Sequence, residues 1–399
     1  MSEHTRQGAE RLGGASEARP LPPRALVLAG GGARAAYEVG VLSAISERAP
    51  GLAFPIITGV SAGAINAVYL AAHQGPWVDA VRALRVRWSQ LSADRVFRLR
   101  LWPIARALVQ GLAQTVFGGR RSAAAVRGLV DLDPLRESLC ANIDFSGIDA
   151  NIAAGRLRAA ALSATSYASG ETVTFVAGPP DVTVWRRALR HAVRCRLTAD
   201  HVMASAALPI LFPAVRIGDA FYGDGSIRQT APLAPAIHLG ARAILVVTQR
   251  SEAERTAAPA GRDYPTAAEV IGLLLHAIFL DALEADVERL ERVNRLLARL
   301  ASGAASATTP APEGLRPVSL LLLRPSRNLG SLVAGSGARL PPLMRWVVRA
   351  MGGQRESAVD FLSYLLFEPA YSSALIELGY ADAQAQWGAI ERFLATTAD

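Results

Sequence analysis

The first 72 residues contain two units in which a short apolar run ends in glycine and a helical pattern follows. Residues 25–29 read Ala-Leu-Val-Leu-Ala and stop at three glycines, and residues 54–58 lead into Gly59. Helical spacing of apolar residues follows at 33–49 and at 62–72. A buried strand, a glycine turn and a helix form the repeating unit of parallel α/β sheets. The start of the chain therefore predicts a mostly parallel α/β fold.

Later apolar runs continue this alternation and suggest how the chain is organised. Further strands are predicted at 157–164, 172–177, 241–248 and 318–323. The polar start of the chain has no signal-peptide core, so it is predicted to be a disordered leader. Four regions are predicted: the leader at 1–23, a core at 24–248, a long helix, linker and continuation of the sheet at 249–330, and a helical C-terminal extension at 331–399.

Composition limits the classes of partner. The net charge is +8 and comes entirely from arginine, since the chain contains no Lys. A basic surface favours anionic partners, but no nucleic-acid-binding signature is present, so no nucleic acid is predicted. No apolar stretch of about 18 residues is free of charge, which predicts no transmembrane helix. Two cysteines without a CxxC pattern and six scattered histidines predict a reduced, cytoplasmic protein without a metal site.

The segment Gly59-Val60-Ser61-Ala62-Gly63 has the Gly-x-Ser-x-Gly pattern of a nucleophile elbow. Glycines on both sides permit a sharp turn, which lifts the serine hydroxyl to the carboxyl end of the sheet. A glycine-rich turn with a helix-capping serine would produce the same pattern. The strand predicted before Ser61 and the helix predicted after it favour the nucleophile.

Three consecutive glycines, Gly30, Gly31 and Gly32, separate the first strand from the first helix. Successive backbone N–H groups in such a loop can point at an anion. A dinucleotide site would place Gly where Ala35 stands and an acidic residue about 20 positions further on. A P-loop would need a lysine, and the chain has none. An oxyanion hole fits better, because Ser61 follows one strand–helix unit later.

Asp224-Gly225 is a candidate for the base that activates the serine. An Asp-Gly pair is ordinarily a turn, and an Asp side chain with a reference pKa of about 3.9 is a weak base unless burial raises its pKa. A Ser-Asp-His triad formed by Ser61, Asp224 and His238 would also follow a known chain order. The short Pro-containing segment before His238 and its helical surroundings favour a structural histidine instead.

Together these segments resemble the patatin-like phospholipases. The resemblance covers about residues 24–248 and is carried by Gly30 to Arg34, by the elbow continued to Asn66, and by residues 204–209 leading to Asp224-Gly225. It implies a three-layer α/β/α fold and a lipid acyl hydrolase that acts on fatty acyl esters of phospholipids or related lipids without metal or cofactor. Two alternatives stay open: a lipid transacylase, and a catalytically silent lipid-binding regulatory protein.

The resemblance also assigns roles to individual residues. It implies Ser61 as the nucleophile and Asp224 as the general base of a dyad without histidine. The other implied residues are Gly30, Gly31, Gly32 and Ala62 in the oxyanion hole, with Arg34, Gly59, Gly63 and Gly225 in support. In one respect the sequence departs from the family pattern: Ala35 stands where the glycine motif usually closes with Gly.

Three basic or amphipathic segments lie outside this motif set. Residues 95–127 interleave arginines with apolar residues, which indicates either a surface for anionic membrane or an ordinary helix pair packed on the sheet. The membrane-facing candidates are Arg98, Arg100, Leu101 and Trp102. The arginines within 186–194 follow i, i+4 spacing and predict a solvated helix face. Residues 267–300 carry near-heptad leucines, which either pair subunits in a homo-oligomer or pack on their own domain.

Overall fold

The computed structural model describes residues 24–99, 130–209, 211–252, 264, 267–301, 315–335, 360 and 362–396. Several predictions fall on the rest of the chain: the leader at 1–23, the membrane-facing candidates Arg100, Leu101 and Trp102, and the linker after residue 301. They lie outside the described residues.

Strands and helices alternate along most of the described chain. The strands are β1 (Arg24–Leu28), β2 (Ile56–Val60), β3 (Arg98–Leu99), β4 (Val130–Asp131), β5 (Ala159–Ser166), β6 (Thr172–Ala177), β7 (Arg186–Arg187), β8 (Arg190–Arg194), β9 (Val215–Ile217), β10 (Ala220–Asp224), β11 (Ala243–Val247) and β12 (Ser319–Leu323). The helices are α1 (Ala36–Arg48), α2 (Ala62–Ala72), α3 (Trp77–Ser89), α4 (Ala93–Val96), α5 (Asp133–Asn142), α6 (Ser146–Ala153), α7 (Ala199–Ser205), α8 (Ala234–His238), α9 (Ala267–His276), α10 (Ala282–Ala301), α11 (Leu332–Gly335), α12 (Pro369–Ala385) and α13 (Trp387–Thr396). Short 3₁₀ turns cover Gly32–Ala35 and Gly225–Ile227, and a π-helical turn covers Ala277–Asp281.

The central sheet is mixed but mostly parallel, as predicted. Its order is β12-β11-β1-β2-β5-β6-β8-β7, and the five strands from β12 to β5 are parallel to one another. The pairs β5–β6, β7–β8, β5–β10 and β9–β10 are antiparallel. Strands β1, β2 and β11 are buried along their whole length, which explains why each appears in the sequence as a continuous apolar run.

Helices cover both faces of the sheet, which gives the three layers. On β1, Leu26 and Leu28 point into a core with α1, α2 and α3, while Ala25 and Val27 point into a second core with α8 and α10. Alternate side chains of a strand face opposite sides of its sheet. The α/β/α architecture is therefore confirmed.

The C-terminal extension packs on the first of these layers. Helix α12 crosses α1 at two glycines: a Cβ on Gly40 would lie 2.0 Å from the carbonyl oxygen of Ile376, and one on Gly379 would lie 2.2 Å from that of Tyr37. The Tyr37 hydroxyl donates a 3.0 Å hydrogen bond to Asp382. Helices α12 and α13 thus confirm the helical character predicted for the described part of this extension.

Most of the near-heptad apolar residues of 267–300 pack on their own domain, whereas Leu300 at the end of the series is exposed. Leu283, Val287 and Leu290 belong to the core beneath the second face of the sheet. Within the described residues, no helix is both long and apolar enough to cross a bilayer.

The helix predicted for the arginines within 186–194 is wrong. These residues form the antiparallel pair β7–β8, with Leu189 in the turn at a φ of +60°. Residues four positions apart share a face of a helix, but they also share a face of a strand, as Arg190 and Arg194 do on β8. Spacing alone over so few residues could not distinguish them.

Candidate active site

Ser61 stands at a strained turn between β2 and α2. Its backbone has φ 53° and ψ −130°, a region that residues other than glycine rarely adopt. A Cβ on Gly59 would lie 2.5 Å from the carbonyl oxygen of Gly63, and a Cβ on Gly63 would lie 2.4 Å from that of Ala29. Only glycine fits at either position, so the chain turns here as the elbow pattern requires.

Asp224 reaches the same place through the pairing of β5. Along one edge of β5, Ser163 pairs with Val60, the last residue of β2, and the next residue, Ala164, pairs with Asp224, the last residue of β10. The ends of β2 and β10 therefore meet. A Cβ on Gly225 would lie 2.7 Å from Val60 Cγ2, which shows how closely the two ends approach.

Ser61 and Asp224 both line one cavity of about 360 Å³. Gly32 and Ala62 line it beside them. Most of the other described side chains in its wall are apolar: Ile65, Leu84, Leu91, Val96, Leu135, Leu139, Ile143, Leu208, Phe212, Phe279, Leu365 and Phe367. A serine and a carboxyl group thus line a cavity whose wall is otherwise largely apolar.

The Asp224 carboxyl is fully buried, and its environment makes it a stronger base than an exposed Asp. Burial raises its pKa to about 6, while hydrogen bonding from Ser61 and Ser226 opposes this rise. Oδ1 accepts a 2.9 Å hydrogen bond from the Ser226 amide. Oδ2 has no hydrogen bond of good geometry among the described residues. The Ser61 hydroxyl nevertheless lowers the pKa of this carboxyl, so it lies near the carboxyl without optimal alignment. Such loose alignment is common in unliganded sites.

The glycine loop lies against the elbow. A Cβ on Gly30 would lie 3.0 Å from Ser61 Cβ. Gly32 has φ +57°, and a Cβ there would lie 2.0 Å from the carbonyl oxygen of Tyr364, which accepts a 2.9 Å hydrogen bond from the Ala33 amide. The loop is therefore held between the serine on one side and the C-terminal extension on the other.

Arg34 binds the loop to that extension. Its side chain is fully buried; Nε donates to Ser363 Oγ at 2.7 Å, Nη1 donates to the Tyr364 hydroxyl at 3.1 Å, and Nη2 forms an ion pair with Asp360. The other Asp360 oxygen lies 2.6 Å from His276 Nε2. Burial raises the pKa of Asp360, but His276 and Arg34 outweigh it and lower that pKa overall. Arg34 therefore supports the loop from behind and is not among the described residues that line the cavity.

Replacing Arg34 by Lys is expected to destabilise the fold by about 2–4 kcal/mol, because an ammonium group cannot serve three partners arranged around a planar guanidinium. The measurement is the free energy of unfolding in urea. The matched control is Arg82→Lys, since Arg82 is two-thirds exposed and pairs only with Asp79 at the surface. We expect the control to change the free energy by less than about 0.5 kcal/mol. An Arg34→Lys protein as stable as its parent would contradict this role.

A second buried network joins the strand before the glycine loop to helix α2. Glu38 accepts hydrogen bonds from the Ala29 amide at 2.9 Å and from Asn66 Nδ2 at 3.0 Å, and Trp88 Nε1 donates to Asn66 Oδ1 at 2.7 Å. Burial raises the pKa of Glu38 to about 8, although these hydrogen bonds oppose the rise. Sequence reasoning missed Glu38, because nothing in the pattern distinguishes a buried Glu on α1 from an exposed one.

The elbow itself has a further contact that the sequence did not identify. The Ser61 amide donates a 3.0 Å hydrogen bond to Ser205 Oγ, and Ser205 in turn donates to the carbonyl of Ser163 at 2.6 Å. Ser205 belongs to the segment 204–209 that carried the resemblance. Its part in that motif is thus to fix the turn.

Other sequence candidates are placed differently. His238 stacks on Trp185 with ring centroids 4.7 Å apart, and burial together with nearby arginines lowers its pKa to about 4. It does not join Ser61 and Asp224 among the described residues of the cavity wall. Arg98, a membrane-facing candidate, is exposed in β3. Ala35, which departs from the family pattern, ends the 3₁₀ turn Gly32–Ala35, and its methyl group is buried in the core.

The model of the patatin-like phospholipase family matches residues 26–237, more than half of the chain. The chain belongs to this family. The match includes Ser61, Asp224 and the glycine loop of this family member, but it ends before His276, Asp360 and the rest of the segment that braces the loop. No curated protein matches the chain.

The chain is also similar to the solved structures of three proteins. Human GIVD cytosolic phospholipase A2 in complex with methyl γ-linolenyl fluorophosphonate has 15% sequence identity and a TM-score of 0.41 over 95% of this chain and 59% of that chain. VipD from Legionella pneumophila has 12% identity and a TM-score of 0.33 over 94% of this chain and 67% of that one. The type III effector ExoU has 16% identity and a TM-score of 0.24 over 86% and 74%. The chain thus spans about three fifths of the length of the human structure, and the family assignment depends on the family model.

Proposed function

We propose that this chain is a serine acyl hydrolase that cleaves fatty acyl esters of phospholipids or related lipids through Ser61 and Asp224. One observation carries the proposal: the meeting of β2 and β10 at consecutive positions of β5, which brings a strained serine and a buried carboxyl into one apolar cavity. Family membership supports the same reaction class.

In the first step, Ser61 Oγ attacks the ester carbonyl while Asp224 takes the hydroxyl proton. The free Oδ2 of Asp224 is the atom that receives it, because Oδ1 is already occupied by the Ser226 amide. The carbonyl oxygen becomes an oxyanion, and the amides of Gly32 and Ala62, two residues that line the cavity, stabilise it. Each such donor typically contributes about 10²–10³ in rate.

In the second step, the alcohol or lysolipid leaves with the proton from Asp224, and the fatty acyl group stays on Ser61 as an ester. Asp224 then accepts a proton from water, whose oxygen attacks this ester and releases the fatty acid. The protonation state of Asp224 thus alternates through the cycle, which a carboxyl with a pKa near 6 permits at neutral pH.

The cavity suggests a lipid as the substrate. Ala62, Ile65 and Tyr69 lie on one face of α2 and line the cavity, so it follows this helix for about 10 Å from the serine. An acyl chain would fill its apolar part. Arg87 and Arg95, which line the cavity and are otherwise exposed, would suit an anionic headgroup.

The pH dependence follows from Asp224. Because the base must be ionised and burial raises its pKa to about 6, kcat/KM is expected to fall about tenfold per pH unit below pH 6 and to level off above pH 7. An exposed Asp would keep full activity down to about pH 5. The measurement is kcat/KM for a soluble nitrophenyl ester between pH 4.5 and 8.5. A flat profile down to pH 5, or a rise on acidification, would contradict this assignment.

The function itself is tested by incubating the purified chain with phospholipid micelles and identifying the products by mass spectrometry. Free fatty acid and lysophospholipid in equal amounts are expected. Acyl transfer to an added alcohol without free fatty acid would identify a transacylase. Unchanged phospholipid, together with an unchanged nitrophenyl ester, would refute the proposal.

A further inference from the structure

The helix α9 carries an apolar stripe on its outer side. Val270, Leu273 and Leu274 are 45%, 69% and 56% exposed, and Ala277 continues the stripe one turn later. These positions follow i, i+3, i+4, i+7 spacing, so they form one helix face. A surface helix normally presents polar residues on that face. Here the inner face, with Leu275 among its residues, is apolar as well.

Helix α10, which follows α9, has an apolar inner face and carries charged residues on its outer face, whereas the outer face of α9 is apolar. Helix α9, the π-helical turn Ala277–Asp281 and α10 run on without a break in helical backbone. On α10, Leu283 and Val287 face the core. Its exposed side carries the ion pairs Arg292–Glu288 and Arg295–Glu291. The outer face thus changes from apolar to charged between the π-helical turn and Arg295, and exposed leucines return at the far end of α10, at Leu296 and Leu300.

The apolar stripe lies directly outside the candidate active site. On the inner side of the π-helical turn, Phe279 lines the cavity and stacks on Tyr364 at 5.4 Å between ring centroids. A Cβ on Gly30 would lie 2.9 Å from this phenylalanine ring. A helix is about 10–12 Å wide with its side chains, so only about one helix width separates the stripe from the cavity.

We infer that the outer face of α9 is a membrane-contact surface that inserts into the boundary between headgroups and acyl chains of a phospholipid bilayer. This inference rests on the proposed function, because a lipid substrate must pass from a bilayer into the cavity. Contact along Val270, Leu273 and Leu274 brings the bilayer next to the cavity wall. Interfacial helices bury such faces about 5–10 Å deep.

Two features favour a bilayer over a second copy of the chain. A stable dimer buries about 800 Å² on each partner, whereas three large side chains on a helix of about 15 Å offer far less. Among the described side chains next to the stripe, Arg250 pairs with Asp281, and His276 Nε2 lies 2.6 Å from an Asp360 oxygen. Binding is therefore driven by apolar burial, and it differs from the general attraction of a chain of charge +8 to anionic lipid.

The test uses the full chain with both Leu273 and Leu274 replaced by Gln. Binding is measured by co-sedimentation with vesicles of ether-linked phosphatidylcholine in 1 M salt, since ether lipids cannot be hydrolysed and salt screens charge attraction. We expect the double variant to bind at least about tenfold more weakly, because two leucine side chains no longer enter the apolar layer. Hydrolysis of ester-linked vesicles should fall by a similar factor, and kcat/KM for a soluble ester should change less than about twofold.

The matched control replaces Leu296 and Leu300 on α10, which are 54% and 41% exposed, by Gln. They lie about 35 Å further along the helix, and vesicle binding should be unchanged. Equal binding by parent and Leu273/Leu274 variant would overturn the inference. So would light scattering that shows a dimeric parent and a monomeric variant, since the stripe would then join subunits. If the parent hydrolyses no ester but still binds vesicles through α9, the proposed function fails and the membrane surface stands.

Discussion

Ser61→Ala is expected to lower kcat for ester hydrolysis by at least about 10⁴-fold while the protein stays folded. In the proposed mechanism the hydroxyl oxygen bonds to the substrate, and Ser61 lines the described part of the cavity together with Asp224. The strained backbone at φ 53° tolerates Ala no worse than Ser, so the fold should persist. The measurement is steady-state hydrolysis of a soluble nitrophenyl ester, together with the thermal melting curve of each protein.

The control for this substitution is Ser138→Ala. Ser138 also lines the cavity, but it lies on α5 and makes no contact with the elbow among the described residues. Its replacement should leave kcat within about twofold of the parent. If Ser61→Ala keeps more than a tenth of the parent activity, Ser61 is not the nucleophile.

Asp224→Asn is expected to lower kcat by at least about 10³-fold, because an amide cannot accept the serine proton. The same change should stabilise the folded protein above pH 7. The folded-state pKa of Asp224 is raised from 3.8 to about 6, so the native protein binds its proton more tightly than the unfolded chain does. Stability therefore falls as the pH rises from about 4 to 6, and ionising the buried carboxyl costs up to about 3 kcal/mol at higher pH. Asn removes that cost.

The expected gain in stability of Asp224→Asn above pH 7 distinguishes a carboxyl kept for function from one that stabilises the fold. Urea unfolding of Asp224→Asn and of the parent should differ most at pH 8 and least at pH 4. Asp219→Asn is the control, since Asp219 is fully exposed at the β9–β10 turn and should change neither kcat nor the pH dependence of stability. An Asp224→Asn protein that is less stable than the parent at pH 8 would show that the ionised carboxyl stabilises the fold instead.

The sequence predicted the parts of the site that local chain geometry determines. The elbow and the glycine loop each need glycine where the backbone turns or approaches another segment, and that requirement is visible in the residues themselves. Short apolar runs in the sequence identified β1, β2 and β11, because parallel strands that are buried on both faces are mostly apolar. Helix α2 and strand β6 appear at the predicted boundaries.

Contacts between distant segments could not be predicted in this way. Arg34 was assigned a supporting role, but its partners Asp360, Ser363 and Tyr364 lie more than 320 positions away and outside the family match. We therefore propose that the catalytic unit extends beyond the predicted core at 24–248 and includes the segment 360–364. Glu38 illustrates the same limit, because its burial depends on how α1 packs between the sheet and α12.

Covalent labelling with a fluorophosphonate probe distinguishes whether Ser61 is the nucleophile and whether Asp224 activates it. The purified chain is treated with the probe and digested, and the modified residue is located by mass spectrometry. We expect one adduct, on Ser61, that forms at least about 100-fold more slowly in Asp224→Asn and at the parent rate in Asp219→Asn. An adduct on another serine, or labelling of Ser61 at the same rate with and without the Asp224 carboxyl, would contradict this mechanism.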